Sequence, residues 1–260
     1  MSDRGFGVAA GLEPDVARPL AERCTELGYA SLWSNDHPGA KGLQTLAEFA
    51  AAAGGVDLGV GVIALDRQSP GEIAGDIDRL GLDRSRLWLG VGAGFQDKPL
   101  TAMREALPEL REHLDGVRLV LAAMGPKMCA LAGAEYDGAF FNWMTPGFAR
   151  AAREKVEQGA RQAGREPPAV FGYVRTAAGE DAPRRLAKEE SFYRDLHDGY
   201  RNHFDRLGEP QGTVGVAVAD RTAAQAALAA YEDALDTVVV RGLASASVES
   251  MVAVAEAAAP

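Results

Sequence analysis

The chain has 260 residues, of which 47% are hydrophobic and 25% charged; that is the make-up of an ordinary globular protein, long enough to bury a self-sufficient core. A net charge of −10 argues against nucleic-acid binding, which needs a basic face, but leaves room for a local cationic pocket. Two isolated cysteines, Cys24 and Cys129, do not make a disulfide framework and fit a reducing compartment.

The early apolar run from Gly5 to Leu12 is cut short by Glu13, unlike a secretory leader. No uncharged stretch approaches the length that spans a bilayer. The expected setting is therefore the cytoplasm, away from membranes.

Taken in order, the chain alternates short apolar runs with amphipathic ones. Gly5 to Ala9 reads as a first strand. The helix after it, Asp15 to Leu27, puts Val16, Leu20, Cys24 and Leu27 on one face, and Gly28 closes it. Tyr29 to Ser34 is the second strand, running into Asn35-Asp36-His37-Pro38, with a helix from Leu43 to Ala53. Leu58 to Leu65 is the third, followed by a helix near Gly71 to Leu80. Leu87 to Val91 is the fourth, leading into Gly92-Ala93-Gly94-Phe95-Gln96 and a helix from Leu100 to Leu114.

The central stretch, Val117 to Pro146, reads strand, Gly-Pro turn, short helix, strand. Val117 to Ala123 is the fifth strand. Met124-Gly125-Pro126-Lys127-Met128 starts the helix with proline at its first position, and the N–H groups beyond it form an anion cue. Gly138 to Asn142 is the sixth strand, ending near Trp143 and Thr145. A helix from Phe148 to Ala163 leads to the seventh strand, Ala169 to Val174, and to Arg175.

From Gly179 to Gly212 the rhythm breaks. Phe192, Leu196, Tyr200, His203 and Leu207 share one helical face, which predicts a helical insert or lid. Thr213 to Ala219 suggests a short added strand. Then come a helix from Thr222 to Leu235, the eighth strand Asp236 to Val240, and a helix from Val248 to Ala258.

Strict alternation with short loops implies parallel strands and right-handed crossovers. Eight such units in one domain of this length fit a (β/α)8 barrel with a helical insert after strand seven. In a barrel the loops after the strands gather at one mouth. That mouth would collect Asp36, His37, Asp66, Arg67, Gly92, Gly94, Gln96, Gly125, Pro126, Lys127, Asn142, Thr145, Arg175, Thr176 and Arg241. The ring is polar, glycine-rich and cationic, suited to a flat phosphorylated ligand.

Asp36-His37 is the sharpest acid/base pair, since a carboxylate can fix an imidazole's tautomer; a turn beginning before Pro38 explains it as readily. Gly90-Val91-Gly92-Ala93-Gly94 misses the dinucleotide fingerprint. It reads either as backbone opened for a ring or as tight packing. His203, on an apolar helical face, reads as a satisfied, partly buried histidine, and His113 and His197 as surface residues. Trp33, Trp143 and Phe95 read equally as a cofactor floor or as core. No HExxH, CxxC, GxxxxGK[ST] or GxSxG occurs, so zinc, nucleoside triphosphate and esterase chemistry lack support and no metal is expected.

Several runs together resemble the luciferase-like monooxygenase superfamily. They are LWSNDHP, GVGVIALDRQSP, LWLGVGAG, AAMGPKMCALAG and DGAFFNWMTP, in that order, with weaker YVRTA and HFDRLG beyond. More narrowly they resemble its actinobacterial branch that depends on coenzyme F420, a 5-deazaflavin. The resemblance implies a barrel with the deazaflavin across its carboxyl-terminal mouth. It puts Asp36 and His37 beside the ring and a strained or cis peptide at Ile63-Ala64 against one ring face. Met124, Gly125 and Pro126, with Lys127 nearby, would meet the cofactor as backbone.

Two departures stand out. Sugar-phosphate dehydrogenases of the family carry a glutamate where this chain has Ala93, and a tryptophan past the histidine where it has Pro38-Gly39-Ala40-Lys41. The expected activity is hydride transfer between F420 and a small organic substrate, with His37 as hydrogen-bonding or protonating group and Asp36 as its orienter. The alternatives are a reduced-FMN monooxygenase and a non-catalytic flavin-binding barrel. A longer acidic tail would draw on Lys127, Arg67 and Arg175. Homodimers pairing through barrel helices are common in the resembling family.

Overall fold

The structure, a computed structural model, describes residues 3–245 and 247–260. The units run in chain order as β1 (Asp3–Val8), α1 (Pro14–Glu26), β2 (Ser31–Ser34), α2 (Gly42–Ala52), β3 (Asp57–Ala64), α3 (Pro70–Arg79), β4 (Leu87–Gly92) and α4 (Pro99–His113). Then follow β5 (Arg118–Ala122), α5 (Pro126–Glu135), β6 (Gly138–Asn142), α6 (Pro146–Gln162) and β7 (Ala169–Ala178). The chain ends with α7 (Ala182–Leu196), α8 (Asp198–Leu207), β8 (Val216–Val218), α9 (Arg221–Glu232), β9 (Thr237–Gly242) and α10 (Val248–Ala257).

All strand pairs are parallel, and β6 pairs with β7 to close the sheet. The closed barrel has eight staves, β1 to β7 and β9, with helices outside: the expected (β/α)8 fold. The short added strand is β8, attached to the carboxyl end of β7 outside the ring of staves.

Local chemistry explains the helix starts. Proline occupies the first turn of α1, α3, α4, α5 and α6, where its missing donor costs nothing. At α3, Ser69 and Glu72 bond each other's backbone N–H groups in a capping box.

Side chains on one face of each stave pack against the helices; those on the other fill the barrel. Trp33 is the keystone of the interior, packed on Phe140 and Phe171 at ring separations of 5.0 and 5.1 Å. Its indole N–H donates to Ser31 Oγ at 2.8 Å. This explains Gly59 of β3, where a Cβ would collide with the Trp33 ring; at Gly61 it would meet Phe140 at 2.7 Å instead. Removing a buried ring of this kind typically costs about 3–5 kcal/mol. Trp33 is thus core, well below the mouth. Both thiols lie in the outer core, where burial pushes Cys129 up to about 12 and Cys24 higher still.

Three expectations need correcting. The insert is two helices, broken at His197, which is extended and caps α8 by accepting from Gly199 N–H. The five residues read as one face are therefore divided: Phe192 and Leu196 are exposed, while His203 and Leu207 are buried. Strand seven continues to Ala178 because Thr176, Ala177 and Ala178 pair with β8, so Arg175 lies within a stave. Lastly, the cis peptide is Gly61-Val62, not Ile63-Ala64. The register of β3 against β4 shifts between Val60 and Ile63, and Ile63 packs into the outer core.

Candidate functional site

Parallel staves bring all the strand-end residues to one end of the barrel. Around β3 to β6 the mouth has a floor of small residues. Gly61, Val62 and Ala122 are half-buried there, as is Asn142. A Cβ on Gly92 would touch Ala122 Cβ at 3.3 Å and Val62 at 3.4 Å, so these residues form one continuous surface.

His37 stands at the edge, after β2. Its Nδ1 accepts from Gly39 N–H at 3.1 Å, which requires a lone pair there and leaves the ring hydrogen on Nε2. Nε2 lies 3.4 Å from the Ala10 carbonyl. The backbone, not Asp36, orients this imidazole. The Asp36 carboxylate accepts instead from Arg67 at 2.8 Å and from Gly42 N–H at 3.2 Å. Neighbouring side chains on a near-extended chain point apart, so adjacency in sequence did not become contact.

Behind β4, Ala93 is buried in the outer core, and Gly94 is left-handed (φ 64°) with the Asp66 carboxylate seated against it. Asp66 also accepts from Phe95 N–H at 2.9 Å. Gly94 is exposed, but the space beside its α-carbon is taken by the Asp66 side chain. Gln96 lines an outer groove of about 600 Å³ with Ser69 and Thr101. Met124 and Gly125 are half-buried at the mouth; a Cβ on Gly125 would meet nothing. Pro126 is exposed at the start of α5. Lys127, however, lines a groove between α4, α5 and α6, and Met128 packs on the outer core. Ala64 is buried at the end of β3, and Thr145 is half-buried with no capping bond to α6.

The β7–β9 side differs. Arg175 is buried, donates to Asn142 Oδ1, and lies 4.3 Å from the Trp143 ring and 5.0 Å from Tyr193. Trp143 has φ 53°, unusual for a large residue. The buried His203 holds that turn: Nε2–H donates to the Trp143 carbonyl at 2.6 Å, and Nδ1 accepts from Arg206 at 3.2 Å. Burial pulls His203 below the ordinary histidine range. Trp143, Phe204, Leu186 and Leu207 form a second core beneath α7 and α8, and burial pushes the Tyr200 phenol up to about 12. The insert also reaches towards β4, where exposed Phe95 meets His197 with ring centroids 4.7 Å apart.

Buried polar atoms without partners gather at this mouth: Asn35 Oδ1, Trp143 Nε1, Tyr173 OH and Arg175 Nε. Unpaired buried polar atoms are costly, and both kinds are present: Asn35 Oδ1 accepts, and Trp143 Nε1 and Arg175 Nε donate. The sequence pattern did not mark Tyr173 or Tyr193, whose roles depend on which face of a stave or helix they occupy.

The fold is a parallel (β/α)8 barrel whose strand-end residues gather at the carboxyl-terminal mouth. The family model for luciferase-like monooxygenases matches residues 105–258, and the chain belongs to that family. A curated relative, 5,10-methylenetetrahydromethanopterin reductase of Methanolobus tindarius, is 26% identical over 185 residues. That match covers 58% of this chain and 57% of the relative's own length. An F420-dependent secondary alcohol dehydrogenase, solved with an F420-acetone adduct, superposes with a TM-score of 0.74 at 15% identity, covering 99% of each chain. The FMN-bound oxygenating constituent of 3,6-diketocamphane monooxygenase from Pseudomonas putida gives 0.68 at 14% identity, covering 100% of this chain and 99% of that one. These structural likenesses establish the shared fold.

Proposed function

We propose that the chain is an oxidoreductase transferring hydride between the deazaflavin F420 and a small organic substrate. The observation that carries this reading is the continuous small-residue surface of half-buried Val62 and Ala122 with Gly92 between them, at the barrel end that also carries the loop of His37. A planar tricycle needs such a surface, and the unpartnered Asn35 and Tyr173 groups suit its polar edge. When bound, the deazaflavin supplies a hydride-carrying carbon. In this reading the Nε2 hydrogen of His37, whose partner in the structure is the Ala10 carbonyl at 3.4 Å, is given to the substrate instead. The insert, through Tyr193 and Tyr200, keeps water from one side.

Reduced FMN is the second reading, because, of the three cations that would favour a longer acidic tail, one is already paired and another faces an outer groove. Arg67 pairs with Asp36 at 2.8 Å, and Lys127 faces an outer groove. Titration of the purified protein with F420 and with FMN, read by tryptophan fluorescence, tests the choice. F420 is expected to bind, with His37→Ala lowering hydride transfer about 100-fold. Binding of FMN alone would overturn the assignment.

A further inference from the structure

Three arginines are buried in the described structure: Arg4, Arg175 and Arg241. Arg4, at the closed end of the barrel, is fully served. It donates to Gln225 at 2.6 Å, to Glu232 at 3.0 Å, and to the carbonyls of Ala258 and Ala259 at 3.1 Å each. The pair at the mouth is not. Arg175 bonds Asn142, and Arg241 bonds only the Gly242 carbonyl at 2.8 Å among the described residues. Neither forms an ion pair there.

The two lie side by side in the sheet. Arg175 on β7 and Arg241 on β9 are register partners on adjacent parallel strands, where like charges repel. Burial lowers the Arg241 pKa, and the Arg175 charge lowers it further. Tyr173, two residues back on β7, adds a buried hydroxyl without a partner, and Arg175 Nε is also unpartnered. Glu189 on α7 acts on Arg241 only as a more distant charge. The unpartnered groups here, Arg175 Nε–H and the Tyr173 hydroxyl, can both donate.

We propose that Arg175 and Arg241 form an oxyanion subsite beneath the insert, taking a carboxylate or phosphate group of the reacting molecules. The subsite stands on the arginine pair alone; giving the anion to the coenzyme or to its substrate rests on the oxidoreductase reading. Such a group would neutralise two charges that the protein leaves uncompensated, as buried charge requires.

The first test uses the protein without cofactor. Thermal melts are run in sulfate or inorganic phosphate against chloride at equal ionic strength, for wild type, Arg241→Met and Arg175→Lys. Wild type should gain melting temperature with the oxyanions, and Trp143, stacked on Arg175, should report saturation by fluorescence. Arg241→Met should lose that gain while melting at or above wild type in oxyanion-free buffer. Arg175→Lys, a point charge without the planar fork, should weaken it. An equal gain in all three proteins, or an Arg241→Met protein less stable than wild type without oxyanions, overturns the proposal.

A second titration separates the sources by comparing F420 with its phosphate-free chromophore. About a 10- to 100-fold loss in Arg241→Met for F420 alone assigns the anion to the coenzyme phosphate. Unchanged affinity for both assigns it to the substrate. Equal loss for both makes Arg241 a framework residue and rejects the subsite. If neither chromophore binds wild type, the oxidoreductase reading fails while the oxyanion result stands.

Discussion

The two sides of the barrel mouth are built on opposite terms. From β3 to β6 the residues are small and half-exposed: Gly61, Val62, Ala122 and Asn142. From β7 to β9 they are large, charged and buried, and α7 and α8 lie over them. The first side offers shape and little chemistry. The second holds the unpaired charge, kept in place by an aromatic cluster. Surface complementarity and charge recognition are thus assigned to different staves, so each can be disturbed separately.

The largest effect should come from breaking the roof. Glu190 is fully buried, accepts from Gly212 N–H at 2.8 Å, and pairs with Arg194 at 2.8 Å. Glu190→Ala leaves the Gly212 and Val214 N–H groups without their acceptor and removes the nearer carboxylate of Arg194, and should cost the insert about 2–3 kcal/mol. Hydrogen exchange should then lose protection in α7 and α8 but not in β1 to β5. Simultaneous loss in the staves would mean that the two sides are one cooperative unit.

Filling the open side is the next test. Ala122→Trp should weaken binding of the tricyclic ligand about 100-fold, equivalent to about 2.7 kcal/mol, with the melting temperature nearly unchanged because Ala122 is only half-buried. Unchanged affinity would place the ring elsewhere.

A smaller effect, a slope with pH, concerns His203. Its folded pKa is lowered by burial, so the unfolded chain binds the proton more readily. The stability tied to the neutral ring is therefore present above the unfolded value of about 6.5. It is lost as the pH falls towards the lowered folded value. His203→Gln should flatten this part of the stability–pH curve. An unchanged slope would remove the histidine from the clamp on Trp143.

Much of the barrel was legible because each stave and helix carries its own period, and all eight staves fall within a few residues of the runs that predict them. The short β8 was legible too, from its β-branched valines. Side-chain direction was harder to read. Lys127 sits beside the Gly-Pro turn in sequence, but a helix turns about 100° per residue, and its side chain lines an outer groove. Arg241 was visible at a strand end, yet its relation to Arg175 depends on the β7–β9 register, a long-range fact. The break at His197 was hidden because helical periodicity continues across it.

One feature of β7 bears on how this barrel could change. Thr176 and Ala178 pair with Val216 and Val218, and Gly179 N–H donates to the Val218 carbonyl at 2.9 Å. The excursion between them thus leaves and rejoins the sheet at neighbouring points. Lengthening such a loop adds only about 0.6 kcal/mol of closure entropy for each doubling. The segment is therefore a cassette on a fixed socket: selection could exchange it for a longer or differently charged one while every stave kept its place.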